Sequence, residues 1–401
     1  MDIKSKLSVM MFLEFFIWGA WYVTMGTFLG SNMQATGADI GLAYGTQSWG
    51  AIIAPFVIGL IADRYFNAEK VLGVLHLTGA GLMYMLSQSQ DFATFYPYIL
   101  LYMILYMPTI ALANSVAFHH LKDPVKDFAP VRVWGTIGWI VVGLSISYIF
   151  GWDGKEAIAD GMLQNTFLLA SVASLVLGVG AFLLPSTPPK LKSTEKVSIS
   201  QLLGLDALKL FKDKNFLVFF ISSILICIPL AFYYSYTNPF LVDLNISNPT
   251  GKMTIGQVSE VAFMLLLPFF FTRFGLKKTV LVGMAAWALR YILFAFGDGG
   301  SLTFMILTGI ALHGVCYDFF FVSGQIYTDS KAGEQYKSSA QGLITLATYG
   351  IGMLIGFWIA GKIADQNEGN WSVIWIYPAV FSAVVFLLFL VFFKKEDIKY
   401  S

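Results

Sequence analysis

An aspartate, Asp318, stands in the stretch CYDFFFVSGQ, inside an apolar run from Leu302 to Ile326. Moving a carboxylate out of water costs several kcal/mol, so an acid at such a place marks a functional hypothesis by default. Other polar groups recur in apolar segments at helical spacing. Arg132, Thr136 and Trp139 stand at i, i+4 and i+7. Gln257 and Glu260 are three apart, and Tyr234 shares a face with Asn238. His313 and Tyr317 share another, with Asp318 beside them. These types suit one chemistry. Carboxyls poised between burial and a nearby cation can take up and release a proton. Trp and Tyr rings stack on planar ligands, and amides, hydroxyls and imidazole hydrogen-bond polar ones.

Each group also has a plainer reading. Arg132 can be a helix-end anchor, Asp318 and Glu260 can pair with a structural arginine such as Arg290, and Trp139 and Tyr317 can simply pack. Glu14 and His76 read as structural, with Glu14 near a helix end where its side chain can snorkel. Covalent catalysis has little support. Cys227 and Cys316 form no disulfide framework or metal spacing, and Cys316 has no base at useful distance. GTIGWI, Gly135–Ile140, lacks the strand–turn–helix context of a phosphate loop. We therefore expect no enzyme, no metal and no organic cofactor.

The elements that must position these groups follow from composition. The chain is 57% apolar, 16% aromatic and 12% charged, against about 25% charged residues in soluble domains. It cannot cover a water-facing surface, and its partners are the lipid bilayer and a small molecule. A net charge of +1 gives no reason to expect nucleic acid. A bilayer core needs about 20 helical residues per crossing. Apolar runs of that length predict twelve spans, at 7–29, 40–62, 71–88, 93–119, 131–150, 162–184, 215–243, 253–272, 279–297, 301–327, 339–361 and 373–393. The first exceeds a cleavable signal core and is read as a permanent span. Lys and Arg crowd one set of loops, while the opposite loops hold only Lys155, Lys252 and Lys362. That bias predicts both termini in the cytoplasm.

The segment 185–214 divides the chain into an N-terminal six-helix bundle, 1–184, and a C-terminal one, 215–401. In this linker Ser198 and Gln201 fit a capping box. Leu202, Leu203, Ala207, Leu210 and Phe211 form an apolar stripe, which predicts a short amphipathic helix on the cytoplasmic membrane face. The halves echo each other: PFVIGLIADRYFNAEKVL (55–72) parallels PFFFTRFGLKKTVL (268–281). Duplication of a six-span unit and chance likeness of apolar helices both give such an echo. Duplication would make an all-α transporter of two six-helix bundles with a site between the repeats.

Gly59–Lys70, GLIADRYFNAEK, resembles the Gly-x-x-x-Asp-Arg loop of the major facilitator superfamily, in which Asp63 and Arg64 would latch one conformation. More specific motifs run in order along nearly the whole chain: FFIWGAWYVTMGTF (15–28), APVRVWGTIGWI (129–140), LLGLDALKLFKDK (202–214), QVSE (257–260), CYDFFFVSG (316–324) and SAQG (339–342). Together they resemble the bacterial nucleoside:proton symporters of that superfamily. The resemblance implies the major facilitator fold around a central cavity, and proton-driven nucleoside uptake by a multi-pass protein of the inner membrane, here expected to be a monomer. It places Arg132, Thr136 and Trp139 on the family's fifth-helix site, Gln257 and Glu260 on its eighth, and Tyr317 and Asp318 on its tenth. His313 falls where close relatives carry tyrosine. The seventh helix departs: Ala231 and Tyr234 stand where nucleoside carriers place amides. A sugar or sugar-like substrate is therefore the alternative. Asp318 or Glu260 is expected to carry the proton.

Overall fold

The computed structural model describes residues 2–57, 65–189 and 205–396. Those residues are almost wholly helical. The chain opens with α1 (Ile3–Trp21) and α2 (Met25–Met33), then α3 (Gly37–Val57), α4 (Ala68–Gln88), α5 (Phe92–His120) and α6 (Pro124–Leu144). A π-helical turn, Ser145–Phe150, ends α6 and leads to the short α7 (Lys155–Ala159) and to α8 (Gln164–Ala181). After a 3-10 turn at Leu205–Lys212 come α9 (Lys214–Asp243), α10 (Pro249–Phe296), α11 (Thr303–Ala311) and α12 (His313–Tyr317). A π-turn at Asp318–Val322 joins α12 to α13 (Ser323–Thr345), and another at Leu346–Gly352 precedes α14 (Met353–Gln366) and α15 (Trp371–Phe392).

Helix starts follow from side-chain caps, which satisfy otherwise orphaned amides. Asp2 accepts from the Ser5 amide at 2.8 Å, and Asp91 from the Thr94 amide at 2.8 Å. Asp213 accepts from the amides of Asn215 and Phe216 at 2.8 and 3.2 Å. Bends follow from glycine. Gly275 (φ 76, ψ 167) breaks α10 into two arms, a conformation that a residue with a Cβ rarely takes.

Ten helical stretches are long and apolar enough to cross a bilayer. One of these is α10, whose two arms occupy two predicted spans, and α3 occupies the described part of the predicted span 40–62. A helix thus stands in each of the twelve predicted spans.

The chain groups into two compact units, 1–198 with 247–251, and 199–246 with 252–401. In the first, α1 packs on α6 and α8, and α4 packs on α5 and α8. In the second, α9 packs on α14 and α15.

The described part of the linker, Leu205–Lys212, packs part of its apolar stripe against the second unit. Ala207 is buried with Ala332, Ala340 and Leu343, and Leu210, Phe211 and Phe220 pack around them. Residues of α13 form a socket for Ala207 and its neighbours. Lys331 then bridges Asp213 and Glu396 at 2.6 and 2.7 Å. The predicted capping residues Ser198 and Gln201, with Leu202 and Leu203, lie outside the described residues, as do the predicted latch residues Asp63 and Arg64.

Candidate functional site

In the first unit, close approach of α1 and α6 builds the site. Gly138 lies directly against the Phe12 carbonyl, leaving no room for a Cβ. That approach seats Arg132 over the Phe15 ring, Cζ 3.9 Å from its centroid, a cation–π contact. Two turns on, Trp139 meets Trp18 edge-on at 5.6 Å and Tyr22 at 6.3 Å. Thr136 stands half-buried between Arg132 and Trp139 on the same helix. All three residues lie on α6, and Arg132 and Trp139 meet an aromatic wall of Phe15, Trp18 and Tyr22 that helical spacing on α6 alone did not reveal. A cavity of about 640 Å³ lies against the same two helices, lined by Lys4, Ser8, Phe12, Asp127, Val131 and Trp134 among others.

Behind this wall sits a buried acid–base pair. Glu14 is 0% exposed and meets His76 Nε2 at 2.9 Å. The Thr109 hydroxyl reaches its other oxygen at 2.6 Å, and Tyr106 donates to its backbone carbonyl at 2.6 Å. Ser174 Oγ donates to the His76 carbonyl at 2.9 Å and lies 3.1 Å from His76 Nδ1. Glu14 does not snorkel. A complete set of partners on α4 and α5 fixes it inside, consistent with the structural role read from the sequence.

The second unit gathers the remaining candidates around α12. Gly314 lies against the backbone of Ser259 and Glu260, so α12 and the first arm of α10 touch main chain to main chain. Ser259 Oγ donates to the Ala311 carbonyl at the same crossing. This contact brings Glu260 beside the His313–Asp318 segment, and Glu260 lies within electrostatic reach of Asp318, Tyr317 and Tyr234. Gln257 is half-buried one turn before it. His313 stacks on Tyr233 at 5.1 Å, and it meets Tyr317 at 5.7 Å and Tyr234 at 6.5 Å. Tyr317 shares a 2.6 Å hydrogen bond with Tyr349, a partner that sequence reasoning missed because it lies 32 residues away in a π-turn. Asn238 is buried, its amide 3.7 Å from Met253 Sδ.

Asp318 itself is 0% exposed, and neither carboxyl oxygen has a hydrogen-bond partner among the described residues. It begins a π-turn, the kind of local irregularity that often re-aims side chains at functional sites. The pairing of Asp318 with Arg290 raised from the sequence is not formed. Arg290 turns instead to His313 Nδ1, at 3.2 Å. Tyr233 and Arg290 thus join the cluster, which no spacing rule could have told from core residues.

Known proteins share this architecture. The family model for the nucleoside H+ symporter matches residues 1–398. YegT of Escherichia coli (strain K12) is 45% identical over 409 residues, covering 99% of this chain and 95% of that protein. Xanthosine permease of the same organism is 34% identical over 413 residues, 98% of this chain and 96% of the permease. A crystal structure of the nucleoside transporter NupG superposes with a TM-score of 0.87 at 30% identity, covering 99% of this chain and 100% of that one. Helices in twelve predicted spans, grouped in two units, with polar groups concentrated on α6, α10 and α12, are those of a multi-pass membrane transporter with the major facilitator fold and not of an enzyme, and this chain is a member of the nucleoside H+ symporter family.

Proposed function

We propose that this protein imports nucleosides across the bacterial inner membrane by alternating access, with Asp318 and Glu260 carrying the coupled proton. The carrying observation is Asp318, a fully buried carboxyl without a hydrogen-bond partner. An ionised carboxylate there would be uncompensated and expensive, so a proton must neutralise it in this buried state. Glu260, brought beside the same segment by the Gly314 contact, is the second carboxyl available to that proton. Two acids so placed cannot both be charged cheaply, which makes a proton's arrival or departure a conformational event.

The other residues take substrate roles. Trp139 and Tyr317 stack on the planar base. Thr136, Tyr234, Asn238, Gln257, His313 and the Arg132 guanidinium hydrogen-bond base edges and ribose hydroxyls. Asp63 and Arg64 keep the role of conformational latch read from the sequence. Both termini lie in the cytoplasm and the carrier works as a monomer. The names of xanthosine permease and of the nucleoside transporter NupG support a nucleoside over the sugar-like alternative.

Two measurements test this. In energised vesicles, nucleoside accumulation against a gradient should disappear in Asp318→Asn or Glu260→Gln. If both variants accumulate like the parent, the coupling assignment is wrong. Purified protein screened by thermal shift should be stabilised by ribonucleosides. Stabilisation by a sugar with no response to any nucleoside would overturn the substrate.

A further inference from the structure

Arg290 is the least expected side chain in the second unit. It is 0% exposed and forms no ion pair among the described residues. Its Nε and Nη2 have no hydrogen-bond partner there. A buried guanidinium without a carboxylate is costly. Part of that cost is offset by aromatic faces: Cζ lies 3.4 Å from the Tyr233 ring centroid, and 5.8 Å from those of Trp287 and Phe294. Packing alone would be served better by an apolar residue, so the charge needs another reason.

Its one described hydrogen bond supplies that reason. Arg290 Nη1 stands 3.2 Å from His313 Nδ1. A guanidinium has five N–H donors, no acceptor, and keeps its proton in proteins. Nη1 is therefore the donor and Nδ1 the acceptor. His313 must then be a neutral ring with its one N–H at Nε2. Turning the ring over would offer Arg290 a C–H instead of a lone pair and would orphan the guanidinium entirely. The ring is also clamped. It stacks on Tyr233 at 5.1 Å with 19° between planes, and Tyr233 is the ring beneath Arg290. Gly256 gives the clamp its room, since a Cβ there would come within 3.2 Å of His313 Cβ.

We propose that Arg290 is a positioning residue that fixes His313 as the Nε2–H tautomer, making it a donor-only contact for an acceptor on the nucleoside, such as a base carbonyl, a ring nitrogen or a ribose oxygen. The Nε2–H makes no hydrogen bond with any described residue, and its ring stands with Tyr317 and Tyr234 at 5.7 and 6.5 Å. The idea rests on the nucleoside reading for the identity of the acceptor, but the tautomer follows from Arg290 alone.

The test begins with unsubstituted protein. Nitrogen NMR of protein labelled with ring-15N histidine resolves four side chains, and His313→Phe identifies the His313 signals by their loss. At neutral pH the expected pattern is an unprotonated Nδ1 and a protonated Nε2, with only Nε2 moving when a saturating nucleoside is added. A protonated Nδ1, or a doubly protonated ring, would overturn the proposal whatever the variants do. Arg290→Met should then give mixed tautomers. It should also raise the KM for uptake about fivefold, as expected for one weakened hydrogen bond of about 1 kcal/mol, with kcat within about twofold. Arg290→Lys should restore both. A merely structural Arg290 would lower the yield of folded carrier while leaving KM and tautomer unchanged, which would also sink the idea. Should no nucleoside be transported or bound, the functional reading fails, whereas the ligand-free spectrum still judges the tautomer.

Discussion

Glu14 and Asp318 are both carboxylic acids with 0% exposure, one in each unit, yet their surroundings differ completely. Glu14 has a base at 2.9 Å and a hydroxyl at 2.6 Å. Asp318 has no hydrogen-bond partner for either oxygen among the described residues. The same burial therefore carries opposite meanings. A satisfied buried acid ties helices together and resists change. An unsatisfied one is stable only while its charge is cancelled, and it responds to whatever brings or removes a proton. Depth in the membrane does not separate these roles; the partners do.

Exchanging the two acids in turn should break or sharpen this contrast. The largest functional effect is expected from Asp318→Asn, which should abolish uphill nucleoside accumulation. It should change thermal stability by no more than about 1 kcal/mol, because no hydrogen bond is lost. Vesicle uptake and a melting curve on the same preparation decide it; a large drop in stability would show that Asp318 has a structural partner after all. Glu14→Ala should do the reverse. It strands His76 and Thr109, so stability should fall by about 3 kcal/mol, while the folded fraction keeps its proton coupling. If Glu14→Ala uncouples transport at full stability, the contrast collapses.

A smaller effect is expected from Thr109→Val, which removes one donor from Glu14 and should cost about 1 kcal/mol in the same melt. The smallest lies at the water-exposed end of the series, where Asp213 faces Lys331 and Glu396. Partial burial pushes the Asp213 carboxyl up, but hydrogen bonds from Lys331 and the Phe216 amide outweigh it and hold it below the usual range. Its folded value is thus below its unfolded one, near pH 4. The stability it contributes is present above that point and disappears as pH falls through the folded value. Proteolysis of the linker should accelerate only in that acid range, and Asp213→Asn should remove the pH step. A step at neutral pH would assign the effect to another group.

Much of the molecule was legible from the sequence. Spans are fixed by a requirement that acts locally: every backbone polar group in lipid must be satisfied within its own segment. Runs of apolar residues therefore predicted the crossings, and Gly275 divides α10 between two predicted spans. The face of Arg132, Thr136 and Trp139 was legible for the same reason, since helical periodicity needs no tertiary information. The linker's protein contact was not legible, because an apolar stripe fits a membrane surface and a protein socket equally well. Ala332, Ala340 and Leu343 supply the socket from more than a hundred positions away. Glu14 was placed near water by its position in the span, and only His76, 62 residues on, shows why it stays inside.

By itself, then, the sequence determined the solvent, the number of crossings and which helix faces carry polar groups, because those depend on composition and on periods of a few residues. Tertiary structure decided which buried acid is satisfied and which is not, and which way Arg290 turns. Those outcomes depend on side chains that meet across 23 to 95 positions of sequence, at distances where a few tenths of an ångström separate a hydrogen bond from an orphaned group.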